Sequence, residues 1–311
     1  MQLQASLKAL RTAVPYIRAY KGRVFVVKLG GVVCEPGKLL DSIVEQLALL
    51  YQLGIKLVVV HGGGTQANAL SERLGITPNA FAGRRITDDG ALEVVKMTLA
   101  GTVNTNLIAA FRKADVPAVG LSGVGGRLLT ARKRPVQTFS DPSTGQTREI
   151  DFGHVGDIVD VRADVLKHLL SGDYVPVIAS LAADAGGHVY NVNADTVASR
   201  VAVALEAAKY FLVSSVDGVM RDPHDPASLQ SYLDLAQLDA LSESGAISGG
   251  MLPKLAACAD ALRGGVPRVH IINGMEPDTL LGEVFTNEGC GTLIVEKCSS
   301  ATNGEPYTVT S

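Results

Sequence analysis

Runs of consecutive apolar residues alternate along this chain with longer stretches in which apolar positions recur every third or fourth residue. The runs at 24–29 and 57–60 bracket a helical pattern through Leu39, Leu40, Ile43, Leu47 and Leu50. An apolar run without polar alternation suits a strand covered on both faces, and two such runs joined by a helix form the repeating unit of a parallel sheet. Further runs at 118–121, 175–179, 210–216 and 269–272 alternate with helical stretches at 92–102, 103–114, 196–208 and 252–263. The pattern predicts an α/β fold, an open and mainly parallel sheet sandwiched by helices. Residues 127–161 break it, being polar, turn-rich and β-leaning, and are expected to form hairpins over a site rather than strands of the main sheet.

The two ends differ from this repeat. Leu3, Leu7, Leu10, Val14 and Ile17 follow helical spacing ahead of the first strand, so residues 1–20 are expected to form a separate helix whose apolar stripe needs a surface. That surface is either the chain's own core or a second subunit. Pro15 is expected to bend or break this helix. Residues 299–311 have the composition of a mobile tail.

Composition narrows the function classes. With 311 residues, 47% of them hydrophobic, the chain can bury a large core. Only 19% of residues are charged and the formal net charge is −3, which favours a small-molecule partner over nucleic acid or a membrane surface. Cys34, Cys258, Cys290 and Cys298 form no CxxC pair and show no zinc-ligand spacing, so no metal site is expected and a reducing cytoplasm fits. No run approaches the roughly 20 apolar residues of a spanning helix.

Four constellations carry the chemistry. Lys28-Leu29-Gly30-Gly31 ends the first strand, and His61-Gly62-Gly63-Gly64 ends the second. One glycine pair is an ordinary turn, but two at the ends of consecutive parallel strands point to phosphate or carboxylate binding by backbone N–H groups. Asn191-Val192-Asn193-Ala194-Asp195-Thr196 stands before a helix, where Asp195 alone reads as the N-cap but three alternating polar side chains exceed one cap's needs. Gly249-Gly250-Met251-Leu252-Pro253-Lys254 opens another helix, and a lysine near the positive end of a helix dipole makes sense beside a bound anion. Of Arg84 and Arg85, one reads as solvated and the other as a fork for a carboxylate. His154 reads as a loop or packing histidine. The stretch from Gly62 to Ala67 also matches a dinucleotide fingerprint, but the acidic-ended strand that a nicotinamide oxidoreductase needs about 20 positions on is missing from 76–85. Gly31 to Lys38 is one residue too long for a Walker loop and lacks its hydroxyl.

In order along the chain stand VVKLGG, VVVHGGG, GRRIT, LAGTVN, AVGLSG, GHVGD, YNVNADTVA, SSVDGV, GGMLPK and GTLI. This series resembles the amino-acid kinase family, and within it the branch that phosphorylates the side-chain carboxylate of N-acetyl-L-glutamate. A kinase of an aminoadipate derivative is the near alternative. The resemblance implies an acyl-amino-acid lobe over 21–182 and a nucleotide lobe over 183–298, with ATP and Mg2+ as cofactors. It makes Lys28 and Lys254 cations flanking the transferred group and Asp195 the carboxylate that holds both. Gly30, Gly31 and Gly250 are then phosphate contacts, Gly63 and Gly64 line the reacting centre, and Arg85 and Asn191 hold the substrate. It further implies a homo-oligomer, dimers joined through the N-terminal helix into a hexamer, with L-arginine as effector at Tyr16, His270, Glu283 and Gly289. Two departures from the family pattern are Val32-Val33-Cys34 in the first loop and Asn273, where an aspartate is common.

Overall fold

The computed structural model describes residues 2–81, 84–140, 147–222, 225–244, 249–286 and 289–297; for residues 2, 3, 5–10 and 140 it describes the backbone alone. The expected tail at 299–311, and the side chains of Leu3, Leu7 and Leu10 in the N-terminal stripe, lie outside the described residues.

In chain order the first half comprises α1 (Gln2–Tyr20), β1 (Val24–Leu29), α2 (Lys38–Gln52), β2 (Lys56–His61), α3 (Gly64–Arg73), β3 (Asn79–Phe81), β4 (Arg84–Ile86), α4 (Asp89–Lys96), α5 (Asn104–Lys113) and β5 (Ala118–Ser122). The second half begins with a polar region, β6 (Leu129–Lys133), β7 (Gln137–Ser140), β8 (Thr147–Ile150) and β9 (Gly156–Val161), then α6 (Asp164–Ser171), β10 (Val175–Ala179), β11 (Leu181–Ala183) and β12 (Val189–Asn191). It closes with α7 (Ala194–Ala204), β13 (Lys209–Ser214), β14 (Val219–Met220), β15 (Leu229–Gln230), β16 (Tyr232–Asp234), α8 (Leu235–Glu243), α9 (Met251–Arg263), β17 (Val269–Asn273), α10 (Thr279–Phe285) and β18 (Thr292–Val295).

Eight strands form the central sheet in the order β16-β18-β17-β13-β1-β2-β10-β5, parallel throughout except where β18 runs against β17. Both faces of β1 are covered, which is why its sequence is apolar without alternation. Val26, with Val58, Tyr210 and Leu212, faces α6, α7 and α9. Phe25, Val27 and Leu29 face α2, α5 and α10 on the other side, with Tyr20 at the end of α1. Strands β6 and β9 belong to a separate four-stranded sheet with β11 and β12, and β7 pairs with β8, so the polar region stays out of the main sheet as its pattern predicts.

Two local expectations need correcting. Of the bend or break expected at Pro15, the break does not occur: helix α1 runs through Pro15 without ending there. A proline in a helix interior costs about 3 kcal/mol, and packing of Tyr16, Ala19 and Tyr20 against the sheet core offsets it. The helices expected at 92–102 and 103–114 are one continuous rod, α4 and α5 joined by a π-helical turn at Met97–Val103.

That turn reaches the end of β2. An added side-chain carbon at Gly63 would lie 2.5 Å from Leu99 Cδ2, so only glycine lets the loop pass under the turn. Asn104, the next residue, donates from Nδ2 to Val177 O and to His61 Nε2, both at 3.0 Å. His61 Nδ1 in turn donates to Gly62 O at 2.9 Å, which sets the tautomer. The ring is fully buried, and burial pushes its pKa down to about 4. Because the folded value lies below the ordinary 6.5, the unfolded chain binds a proton between about pH 4 and 6.5 that the folded chain refuses. Stability therefore falls as pH drops through this window, by at most about 1.4 kcal/mol per pH unit from this ring. Urea unfolding of wild type and His61→Gln at about pH 5 and about pH 7 should show a shallower loss in the variant; equal losses would mean that His61 titrates normally.

Candidate active site

The carboxyl ends of β1, β2, β10 and β13 open on one edge of the sheet, where open parallel sheets bind ligands. Lys28 sits there one residue from the end of β1, paired in register with Val60 and Leu212. Its Nζ lies 2.7 Å from Asp195 Oδ1, and the residues are only 7% and 5% exposed. Burying a lone charge of either sign is costly, whereas here each partner offsets the other's loss of water.

Asp195 is free for this because it is not the helix cap. Asn193 caps α7 instead, accepting from the N–H groups of Asp195 and Thr196 at 2.8 and 3.2 Å. This corrects the plain reading of Asp195 as N-cap. Tyr210 Oη donates to the Asp195 carbonyl at 3.1 Å and steadies the same turn from below.

The two glycine loops meet beside the pair. Gly30 N donates to Val213 O at 2.9 Å and Gly62 N to Leu29 O at 3.1 Å, which ties each loop to β13 and β1. A side-chain carbon at Gly31 would lie 3.4 Å from Gly64 N and 3.6 Å from Gly63 Cα, so the loops run in van der Waals contact. Gly63 and Gly64 form the start of α3, which carries no side-chain cap, and its first N–H groups have no intrahelical acceptor.

Lys254 is half-buried in the first turn of α9, whose N-cap is Gly250. Burial lowers its pKa; Asp195 pulls it upward and Lys28 downward, which puts it within electrostatic reach of both. Its hydrogen bond goes to Gly250 O at 3.2 Å, so among the described contacts Asp195 pairs with Lys28 and not with both lysines as expected.

On the other side of the loops, Arg85 Nη2 donates to Gly64 O at 3.1 Å and, in a very short contact, to Asn68 Oδ1. Its Nη1 is buried without a partner, and burial lowers the guanidinium pKa. Arg84 instead points outward to Gln137 Oε1 at 3.0 Å. Asn191 Nδ2 donates to Thr87 Oγ1 at 3.3 Å, and Gly63, Gly64, Arg85 and Asn191 line one cleft. His154 is half-exposed and bonds Asp89 at 2.7 Å outside that cleft. Sequence assigns no role of their own to His61, Gln66 or Asn104; their signal is their place in VVVHGGG, in the stretch from Gly62 to Ala67 and in LAGTVN.

Tyr16, His270, Glu283 and Gly289 gather elsewhere, in a pocket under α1 that also holds Tyr20, Lys209 and Arg268. Glu283 accepts from His270 Nδ1 at 2.8 Å and from Cys290 N at 2.7 Å, which hold its carboxyl at about 2 although burial opposes this. Burial and the nearby Lys209 push His270 down to about 4, so the ring is neutral. Burial and Arg268 lower Lys209 to about 7. Asn273 lies outside this pocket, donating to Asp217 Oδ1 at 2.6 Å and accepting from Met275 N at 2.8 Å.

Among the described residues no three His, Cys, Asp or Glu side chains converge as a metal site, and no helix is long and apolar enough to cross a membrane.

The chain is similar to the acetylglutamate kinase of Myxococcus xanthus, 46% identical over 289 residues that cover 93% of this chain and 94% of that one. It is 40% identical to the acetylglutamate kinase of Methanocaldococcus jannaschii over 92% of this chain and 94% of that protein. Among solved structures it resembles N-acetylglutamate synthase from Neisseria gonorrhoeae complexed with coenzyme A and N-acetyl-glutamate, with a TM-score of 0.79 and 30% identity. That match covers 94% of this chain but 64% of the longer synthase. Carbamate kinase from Giardia lamblia, at 15% identity and a TM-score of 0.61, shares the fold. The profile of the amino acid kinase family matches residues 23–273, and with these relatives it establishes that the chain belongs to the amino acid kinase family.

Proposed function

We propose that this chain is an acetylglutamate kinase, which moves the γ-phosphoryl group of ATP onto the side-chain carboxylate of N-acetyl-L-glutamate in cytoplasmic arginine biosynthesis. The observation that carries this reading is the buried Lys28–Asp195 pair at the junction of two glycine loops, in a chain 46% identical to a curated acetylglutamate kinase. A carboxylate with a pKa near 4.3 is already ionised at neutral pH, so the acceptor needs no base. The barrier is the approach of one anion to another. Catalysis then reduces to alignment and charge stabilisation. Lys28, fixed by Asp195, meets the transferred group from the sheet side, and Lys254 meets it from α9. Gly31, Gly63 and Gly64 offer backbone N–H donors, Gly30, whose own N–H is bound to Val213 O, lets the backbone pass close to the phosphates without a side chain, and the start of α9 at Gly250 takes the nucleotide phosphates. Mg2+ would be held mainly by those phosphates, with few protein ligands, and would supply further charge neutralisation there. Arg85 holds the substrate's α-carboxylate with the Nη1 that lacks a partner, and Asn191 closes the same cleft.

Purified protein should consume ATP with N-acetyl-L-glutamate and much less with glutamate, aspartate, carbamate or an aminoadipate derivative. Lys28→Ala and Lys254→Ala should each lower kcat by roughly 10²- to 10⁴-fold with smaller changes in KM. Arg85→Lys should weaken acetylglutamate more than ATP, since an ammonium cannot replace a planar fork. Wild-type turnover that ignores acetylglutamate would overturn the assignment.

The pocket under α1 supports regulation by L-arginine in a homo-oligomer, dimers joined into a hexamer through α1. Glu283 supplies an anion for a guanidinium, Lys209 and Arg268 supply cations for a carboxylate, and Gly289 leaves room that a side chain would fill, since an added carbon there would lie 3.0 Å from Glu283 Oε2. Arginine can inhibit only through different affinities for two arrangements of the chain. Glu283→Ala should abolish inhibition by arginine while keeping at least about half of the uninhibited turnover; unchanged inhibition would remove the effector from this pocket.

A further inference from the structure

Helix α3 carries a side chain that touches the other glycine loop. Gln66 Nε2 donates to Gly31 O at 2.7 Å, across 35 residues of sequence. The same carbonyl accepts from Cys34 N at 3.1 Å, so two donors hold it. The other end of the amide, Gln66 Oε1, is buried and has no donor. Exchanging the two amide atoms would set oxygen against the Gly31 carbonyl oxygen, so the assignment is the one that geometry allows. The side chain thus gives up a hydrogen bond at one end to keep the bond to Gly31. A buried acceptor left without a donor asks for a reason.

The reason lies in the direction of one peptide. Carbonyl and N–H groups of a trans peptide point opposite ways, so drawing the Gly31 oxygen towards α3 turns the following Val32 N–H away from it. Val32 opens a short 3-10 turn, where the first N–H groups have no internal acceptor. A carbonyl oxygen turned into the site would instead present negative charge to a phosphoryl group. Glycine allows that rotation easily, and the hydroxyl-free loop Gly30-Gly31-Val32-Val33 offers no side-chain donor to prevent it. The Gln66 oxygen also lies 3.2 Å from where a Gly31 side-chain carbon would stand, and Gly64 N at 3.4 Å, so the amide wedges between the two loops.

We infer that Gln66 is a positioning residue for phosphoryl transfer, holding the Gly31 peptide so that its oxygen faces away from the reacting centre and fixing the spacing of the two glycine loops. It acts through the loops and does not touch substrate. The inference rests on the phosphoryl-transfer reading above.

Steady-state kinetics of Gln66→Met and Gln66→Glu, beside wild type, test it. Methionine keeps the volume and removes the donor. It should lower kcat by roughly 10- to 100-fold while KM for both substrates moves less than about 3-fold and the melting temperature stays within a few degrees, because alignment acts in the transition state. Glutamate repels the Gly31 oxygen when ionised and donates to it when protonated, and burial without a donor at this position favours the protonated form, so the ratio of its kcat to that of wild type should rise as pH falls from about 8 to about 5.5. A methionine variant within about 2-fold of wild-type kcat overturns the proposal, as does a kcat loss matched by equal rises in both KM values. If methionine prevents folding, the glutamate ratio decides, and a ratio that stays flat with pH overturns it. Wild type inactive on acetylglutamate would instead defeat the functional reading, which separates the two failures.

Discussion

A lysine and an aspartate buried against each other at the end of the central strand constrain most of what surrounds them. Lys28 and Asp195 come from segments 167 residues apart and meet at 2.7 Å with almost no water around them. Either charge alone in that position would cost several kcal/mol, so β1 and the first turn of α7 must arrive together. That requirement explains why Asn193 rather than Asp195 caps the helix and why a buried Tyr210 hydroxyl supports the turn. The loops beside the pair are glycine where they have to be close, since side-chain carbons at Gly31 and Gly63 would lie against their neighbours.

The sheet joins this centre to the second cluster of buried charge. Strand β13 carries Lys209 as its first residue, in the pocket under α1, and lies beside β1 with Leu212 opposite Lys28. Its six residues span about 17–20 Å. Phe211 stacks on His270 at 4.7 Å and packs on Phe25 at 5.6 Å, so aromatic contacts tie the pocket to the start of β1. The same strand hydrogen-bonds the first glycine loop, since Gly30 donates to Val213 O.

Burial on both faces of a strand writes itself into composition. Strands covered on both faces have to be apolar runs, and β1 and β10 begin and end where those runs do. Single helix turns leave a fainter trace in the sequence. A proline in α1 is overruled by tertiary packing, and the π turn between α4 and α5 leaves apolar spacing nearly unchanged while it moves Leu99 onto Gly63. At the candidate site, Lys28 and the glycines stand out because their types are unusual at strand ends. His61, Gln66 and Asn104 do not, because a polar residue that bonds a backbone carbonyl leaves no period or spacing to read. Asn193 and Asp195 are separated by one residue and are both good caps, so only the structure assigns one to the helix and the other to the lysine.

If the ion pair is the unit on which phosphoryl transfer depends, its two members should not contribute independently. The most direct measurement is a double-mutant cycle on kcat for acetylglutamate phosphorylation with Lys28→Met, Asp195→Asn and the double variant. The account predicts that the double variant is no worse than about 3-fold below the slower single variant, because each single change already dismantles the pair. Losses that multiply across the two positions would contradict it and make Lys28 and Asp195 separate contributors.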